Sequence, residues 1–549
     1  MKKIKKYNVI LLGTLLLFSF VLIISCENPL KDFKVAVDTA VFDKNIQITV
    51  FDPVNPINLD GSNKLNIELL GEDATKIVSD GGSKTNFPLI DGVLQLAVNP
   101  AYNTEDLRFI VRVSGKDYLT TTIPVNINQN DTLVNIFANI VNIKDTPNGV
   151  SLIESIKPLK DNKLNEDLIV ITDDSGENEF TQVEIIKDTE FRDEAGNELS
   201  NSGDLKVRVV NFDSQIDESL NSFPGGFSPD SVELENGEID NEGSFSTAGF
   251  VSIDMFVGGV EVKEFSKPIT ITMEVDRDVV NPNTGAKVKI GDLLPVWSYS
   301  KDDGVWKYHT ETIIQENNQG NLFVKYTTTH LSWYNLDYWL RGCDDYRRFD
   351  VKISAPGVTR ENGYRLATSL VYAGTNQNVS YKSNRTANFY DGKSFGYYRT
   401  PNTNLQFVVY EGSSTYAKGK EVYRSNIFNG CDFNQISINL NDFKNNLPPQ
   451  IVNVNINFSG VCDSRIIKPS SFLYMLEDYT NYRGQIYKRS KYVGYIRRGK
   501  ITLYNITLNK EYEFQTYYKG RVYNHKYTFT SENVDLENFV IPDDLCNSI

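Results

Sequence analysis

From residue 45 onward, apolar and polar positions alternate along the chain. Ile46, Ile48 and Val50 are separated by polar residues, as are Leu65, Ile67 and Leu69. Leu94, Leu96 and Val98 repeat the pattern, then Phe109, Val111 and Val113. A period of two places one set of side chains on one face of a pleated strand. Asp60-Gly61, Gly81-Gly82, Asp91-Gly92 and Gly115 supply the turns between these runs. Strand-like runs return at 181–187, 205–210, 249–256 and 260–265. The last two flank Gly258-Gly259, a two-residue hairpin signal. Ile269, Ile271, Met273 and Val275 alternate over a further strand. No segment sustains a helical period. The expected class is all-β, built as tandem β-sandwich modules at 45–142, 181–340, 341–444 and 451–549. Residues 143–180, with Pro147 and Pro158 and the acidic run 173–179, read as a linker carrying one or two strands. Asn445-Asn446-Leu447-Pro448-Pro449-Gln450 reads as a second linker at 445–450.

The last two modules look like two copies of one unit. Gly392-Lys393 recurs as Gly499-Lys500, and Phe407 and Phe514 follow each Gly at the same distance. Cys343, Cys431, Cys462 and Cys546 all lie in this region. Their parallel spacing favours Cys343–Cys431 and Cys462–Cys546, each tying a copy start to end. The alternative joins Cys431 to Cys462.

Charge divides the chain as well. After residue 340 there are 27 Lys and Arg against 19 Asp and Glu, a net of +8 within a chain of net −15. The region before it is therefore strongly acidic, a contrast that separates modules by surroundings.

The first 25 residues differ from everything after them. Lys2, Lys3, Lys5 and Lys6 precede an apolar run to Ile24, then Ser25 and Cys26. A basic head, an apolar body and a small residue before the cut describe a secretory signal. The run has about 16 residues, short of the roughly 20 that a spanning helix needs. With Cys directly after the cut, it resembles a bacterial (Bacteroidota-type) lipoprotein signal. The resemblance implies lipidation of Cys26, a tether at 26–44 and a membrane partner through the lipid. It also implies a place in the cell envelope, and Glu27 in place of a retaining Asp implies the outer membrane. Export further implies that the four remaining cysteines are oxidised.

Two further resemblances concern the modules. The order Asp60-Gly61, strand, Asp91-Gly92, strand, Val113-Ser114-Gly115 resembles the transthyretin-like, carboxypeptidase-regulatory-like sandwich over roughly 35–142. "Phe245-Ser246-Thr247-Ala248-Gly249-Phe250", "Pro295-Val296-Trp297-Ser298-Tyr299" and "Thr329-His330-Leu331-Ser332-Trp333" resemble a β-sandwich of cartilage intermediate layer protein. Both imply structural or binding units and transfer no catalytic residue.

Catalytic chemistry is sparse. Gly392-Lys393-Ser394-Phe395-Gly396 fits the pattern of a nucleophile elbow, which needs a strand before it and a helix after it. A turn follows here instead, and the sister copy has Ile501 at the Ser394 position. His309, His330 and His525 are far apart in sequence, and no Cys pair is close enough for a zinc motif. The expectation is a non-enzyme with no metal and no cofactor. Trp297, Trp306, Trp333 and Trp339 are expected as core rather than a sugar-stacking platform. The candidate ligand-binding set is Tyr482, Arg483, Tyr487, Arg489, Tyr492, Arg497, Arg498 and Lys500, where rings and cations interleave. It would suit a polyanionic glycan; no nucleic acid is expected. The reading is thus a lipid-anchored envelope protein, a chain of sandwiches presenting a C-terminal tip. Its role is structural, adhesive or ligand-presenting, with glycan or other envelope proteins as partners. The alternative is a carbohydrate- or polyanion-binding lipoprotein serving polysaccharide uptake.

Overall fold

The computed structural model describes residues 42–540. Within that range 56–64, 80–81, 162, 173–178, 200–202, 228, 230, 242, 300–303, 342, 344–347, 361–362, 380–384, 399, 413–417, 433–434, 444–446, 448–451, 463–464, 469 and 519–520 lie outside the description. Cys26, the signal, the acidic run at 173–178 and Cys546 therefore fall outside the described residues. The fold is all-β.

In the first sandwich, Asn45–Phe51 is a central strand. It pairs antiparallel with Val93–Val98 and parallel with Leu133–Asn139. Asn66–Leu70, Leu107–Gly115 and Tyr118–Ile127 form the facing sheet. Ile46, Ile48 and Val50 point inward as their alternation predicts, against Phe109, Val111 and Val113. The hairpin into Val93–Val98 turns on Asp91 (φ 48°) and Gly92 (φ 77°), the left-handed pair of a type I′ turn.

The second sandwich packs a nine-stranded sheet on a six-stranded one. The stretch read as a linker contributes to both. Val150–Lys157 pairs with Leu205–Phe212 at one edge, and Leu168–Ile171 pairs with Thr181–Ile185 at the other. These are outer strands with one side open, so their polar positions do not follow a clean alternation. The inner core includes Val209, Ile253, Ile271 and Leu336. A second, aromatic layer covers the outer face of the nine-stranded sheet. It holds Phe212, Phe245, Phe250, Trp297, Trp306 and Trp333, closed over by Phe223 and Phe227. The short helix Asp217–Leu220 lies in the covering loop. Indole N–H groups are satisfied inside it: Trp306 Nε1 donates to Pro224 O at 3.1 Å, and Trp297 Nε1 to Asp337 O at 3.0 Å. Trp297, Trp306 and Trp333 are core, and Trp339 packs half-buried against it.

The third and fourth sandwiches follow the plan of the first. Arg348–Ser354 pairs antiparallel with Ser394–Tyr398 and parallel with Gln435–Asn439. Val452–Cys462 pairs antiparallel with Lys500–Ile506 and parallel with Asn533–Val540. Gly392 and Gly499 both turn at positive φ just before the antiparallel partner of the middle strand. Ser394 opens a strand in a strand–turn–strand path, with no helix after it. A disulfide joins Cys343 to Cys431, with Cα atoms 5.4 Å apart. The Cys462–Cys546 pairing lies outside the described residues.

Candidate functional site

The candidate set occupies the hairpin Ser471–Thr480 and Ile486–Ile496 and the turn that follows it. The hairpin is in register with Glu477 opposite Arg489 and Asp478 opposite Lys488. Cross-strand charge pairs of this kind stabilise a ladder. The connecting turn is built by Asn481, whose Oδ1 accepts from Arg483 N and Gln485 N at 3.0 and 2.9 Å, and Gly484 takes φ 77°.

This hairpin is docked on the first sandwich. Arg483 clasps Asp145 with both guanidinium nitrogens, at 3.0 and 2.5 Å. Tyr482 OH donates to Thr146 O at 3.3 Å, Tyr479 OH to Pro53 O at 3.1 Å, and Asn481 Nδ2 to Val54 O at 3.1 Å. Arg489 is 6% exposed. Its guanidinium bonds Glu477 at 2.5 Å and lies over the rings of Phe51 and Tyr479 at 5.4 and 5.1 Å. Below it, Phe472 and Tyr474 form an apolar contact with Val93, into which Tyr492 packs.

The electrostatics agree with a fastened contact. Burial pushes the Glu477 carboxyl up, but Lys491 and Arg489 outweigh it and hold the group below its ordinary range. The Arg483 guanidinium likewise lowers Asp145. Asp52 anchors the receiving loop through Val54 N at 2.9 Å and Asn55 N at 3.0 Å; burial raises its carboxyl.

Tyr482, Arg483, Arg489 and Tyr492 therefore belong to a junction between modules, and the expected presented tip is corrected to a fourth sandwich folded back on the first. Alternation shows which face of a strand is apolar. It does not show which outer face another module will cover. Tyr487 is half-buried, its OH on Gln485 Oε1 at 3.0 Å. Arg497, Arg498 and Lys500 are exposed at the far end, near Lys468. The receiving residues Phe51, Pro53, Val54 and Asp145 carried no sequence signal, being separated from the hairpin by more than 300 residues.

The remaining modules close the circuit. Thr122 Oγ1 donates to Tyr299 OH at 3.0 Å between the first and second sandwiches. Tyr372 OH meets Ser244 Oγ at 3.1 Å between the second and third. Arg365 stacks over Tyr504 at 5.5 Å between the third and fourth. His309 and His330, distant in sequence, bring their rings to 5.5 Å from strands of the two different sheets, and burial lowers the pKa of both. Among the described residues, no group of three or more His, Cys, Asp or Glu could hold a metal ion.

No family model matches the chain, and no curated protein matches it. Among solved structures it is similar to a streptococcal ancillary pilin at 11% identity. That match covers 46% of this chain and 93% of the pilin, with TM-score 0.14. The major pilin subunit of Bacillus cereus matches at 9% identity over 90% of this chain and 99% of the other, with TM-score 0.13. The Bacillus anthracis TIE protein matches at 6% identity over 88% and 76%, with TM-score 0.13. Superposition at that level carries no argument about function.

Proposed function

We propose that this chain is a lipid-anchored, non-enzymatic protein of the cell envelope, at the outer membrane, whose four sandwiches act as one rigid body in a structural or adhesive role. The anchor reading rests on Cys26 behind a basic and apolar leader that resembles a lipoprotein signal. The observation that carries the rigid-body reading is the fate of the ring-and-cation hairpin: its most buried cation, Arg489, is used to fasten the fourth sandwich to the first. Fractionation tests the anchor. Wild-type protein should take up labelled palmitate and sediment with membranes, and Cys26→Ser should lose the label and become soluble. A Cys26→Ser protein that stays with the membrane contradicts the anchor.

A second reading is favoured by the exposed end of the same region. Arg497, Arg498 and Lys500 lie beside Lys468, all four exposed. This cationic turn would suit an anionic polysaccharide, with Lys and Arg pairing carboxylate or sulfate groups. Exchanging Arg497, Arg498 and Lys500 together for Ser should weaken retention on an alginate column at low salt. Unchanged retention contradicts this reading and leaves the anchor untouched.

A further inference from the structure

A cavity of about 470 Å³ lies along one open side of the first sandwich. Its walls are the edge strands Tyr118–Ile127 and Leu133–Asn139, and its roof is residues 220–227 of the second sandwich with Pro229 and Ser231; Asn376 and Asn378 of the third also line it. The volume falls within the range of ordinary ligand sites.

The strand Leu133–Asn139 is unusual for an edge. Its sequence, LVNIFAN, has no charge, no Pro and no Gly, the devices that normally blunt an exposed edge. Its register fixes where its backbone points. Asn45 N donates to Thr132 O at 3.1 Å, and Ile140 N to Phe51 O at 2.9 Å. In a parallel ladder, the even-numbered residues of this strand therefore serve Asn45–Phe51, and the odd-numbered ones turn N–H and C=O away from it, towards the open side. Leu133, Asn135 and Asn139 have no backbone partner there among the described residues. The opposite wall carries Pro124, which removes a donor from that edge.

Side chains add a second, independent sign. Asn139 lines the cavity, is 8% exposed, and its Oδ1 is buried with no hydrogen-bond partner among the described residues. The Oδ1 of Asn378, across the same space, is orphaned as well. Buried acceptors without donors are costly and call for a donor from elsewhere. Of the charged residues lining it, Arg108 Nε donates to Asn126 Oδ1 at 2.8 Å and Asp131 Oδ2 accepts from Asn128 Nδ2 at 3.0 Å, while Asp217 is exposed. Of the lining aromatic residues, Phe109, Phe223 and Phe227 pack their rings into their own cores, and Phe137 is half-buried.

We propose that this cleft binds an extended, uncharged peptide segment of a partner protein, which adds to Leu133–Asn139 as a further strand. Main-chain hydrogen bonds to Leu133, Asn135 and Asn139 supply affinity, and Asn139 and Asn378 accept from donors on the incoming segment. The site does not depend on the anchor or on the cationic turn.

The test uses the chain from residue 27 onward and an array of eight-residue synthetic peptides built from Val, Thr, Ser, Asn, Tyr and Gly, with cellohexaose and maltohexaose as a parallel arm. The native chain should retain a subset of the peptides. Asn135→Pro, which deletes an outward N–H on an exposed edge position, should weaken that binding at least tenfold with an unchanged thermal midpoint. In the native chain, added peptide should slow amide exchange at Leu133, Asn135 and Asn139 at least tenfold, a readout that needs no variant. The proposal is overturned if no peptide is retained, if the hexaoses bind instead, if Asn135→Pro binds equally well, or if those amides do not slow.

Discussion

At Arg489 a buried guanidinium meets a carboxylate and two aromatic faces, and this residue separates energetic contacts from incidental ones. Removing Arg489 takes from Glu477 one of its two charge-assisted bonds, Lys491 keeping the other at 3.0 Å, a loss on the order of 2 kcal/mol. Arg489→Met should therefore lower stability by about that amount, while Arg483→Ala, whose pair with Asp145 is largely exposed, should cost under about 1 kcal/mol. Urea unfolding of both variants checks the ranking; equal losses would count against it. The titration behaviour has a sign as well. Glu477 and Asp145 have folded pKa values below their unfolded ones, so the stability they add is present above about pH 4.5 and is lost as pH falls through the folded values. Glu179 and Asp337, buried in the second sandwich, are shifted the other way. Their contribution is present below about pH 4 and is lost as pH rises through the folded values. Acid should thus open the first–fourth junction before it unfolds the second sandwich. At pH 3 the sedimentation coefficient should fall while Trp emission, all of it from the second sandwich, stays native. A simultaneous change in both signals would refute this order.

Among the elements, the strands that face a core on one side were the legible ones. Ile46, Ile48 and Val50 or Ile269, Ile271 and Met273 declare themselves by alternation, because one face is buried and the other is not. Val150–Lys157 escaped that reading because an outer strand mixes exposures, as Ile156 at 63% exposed illustrates. Ring and cation content marked the stretch 482–500, yet its seat was invisible, since Phe51, Val54 and Asp145 look ordinary in their own neighbourhoods. Turns are more local and were readable as Gly positions. Gly499 sits at φ 76°, and a Cβ there would collide with Phe458 O. Gly499→Ala should destabilise the fourth sandwich by about 1–3 kcal/mol through backbone strain, with the contact adding to it; an unchanged denaturation midpoint would contradict that. In the third sandwich the Cys343–Cys431 bond closes a separation of 88 residues. In the chain-entropy account, Cys343→Ser should cost about 4–5 kcal/mol, measured by chemical denaturation under non-reducing conditions.

At the scale of the whole molecule, the chain is a closed circuit of sandwiches in which the last module returns to the first. The acidic and basic halves noted in the sequence meet there, in Arg483 against Asp145. Such closure would let a tether near the N-terminus position every module, because none swings independently. Strands of about ten residues rise roughly 3.3 Å each, so four such modules end to end would exceed about 130 Å. Small-angle X-ray scattering of the chain from residue 27 onward tests the return of the fourth sandwich most directly. The closed arrangement predicts a maximum dimension clearly below that length, extending when Arg489→Met and Arg483→Ala are combined. A native chain that already scatters as a rod of about 130 Å or more would contradict it.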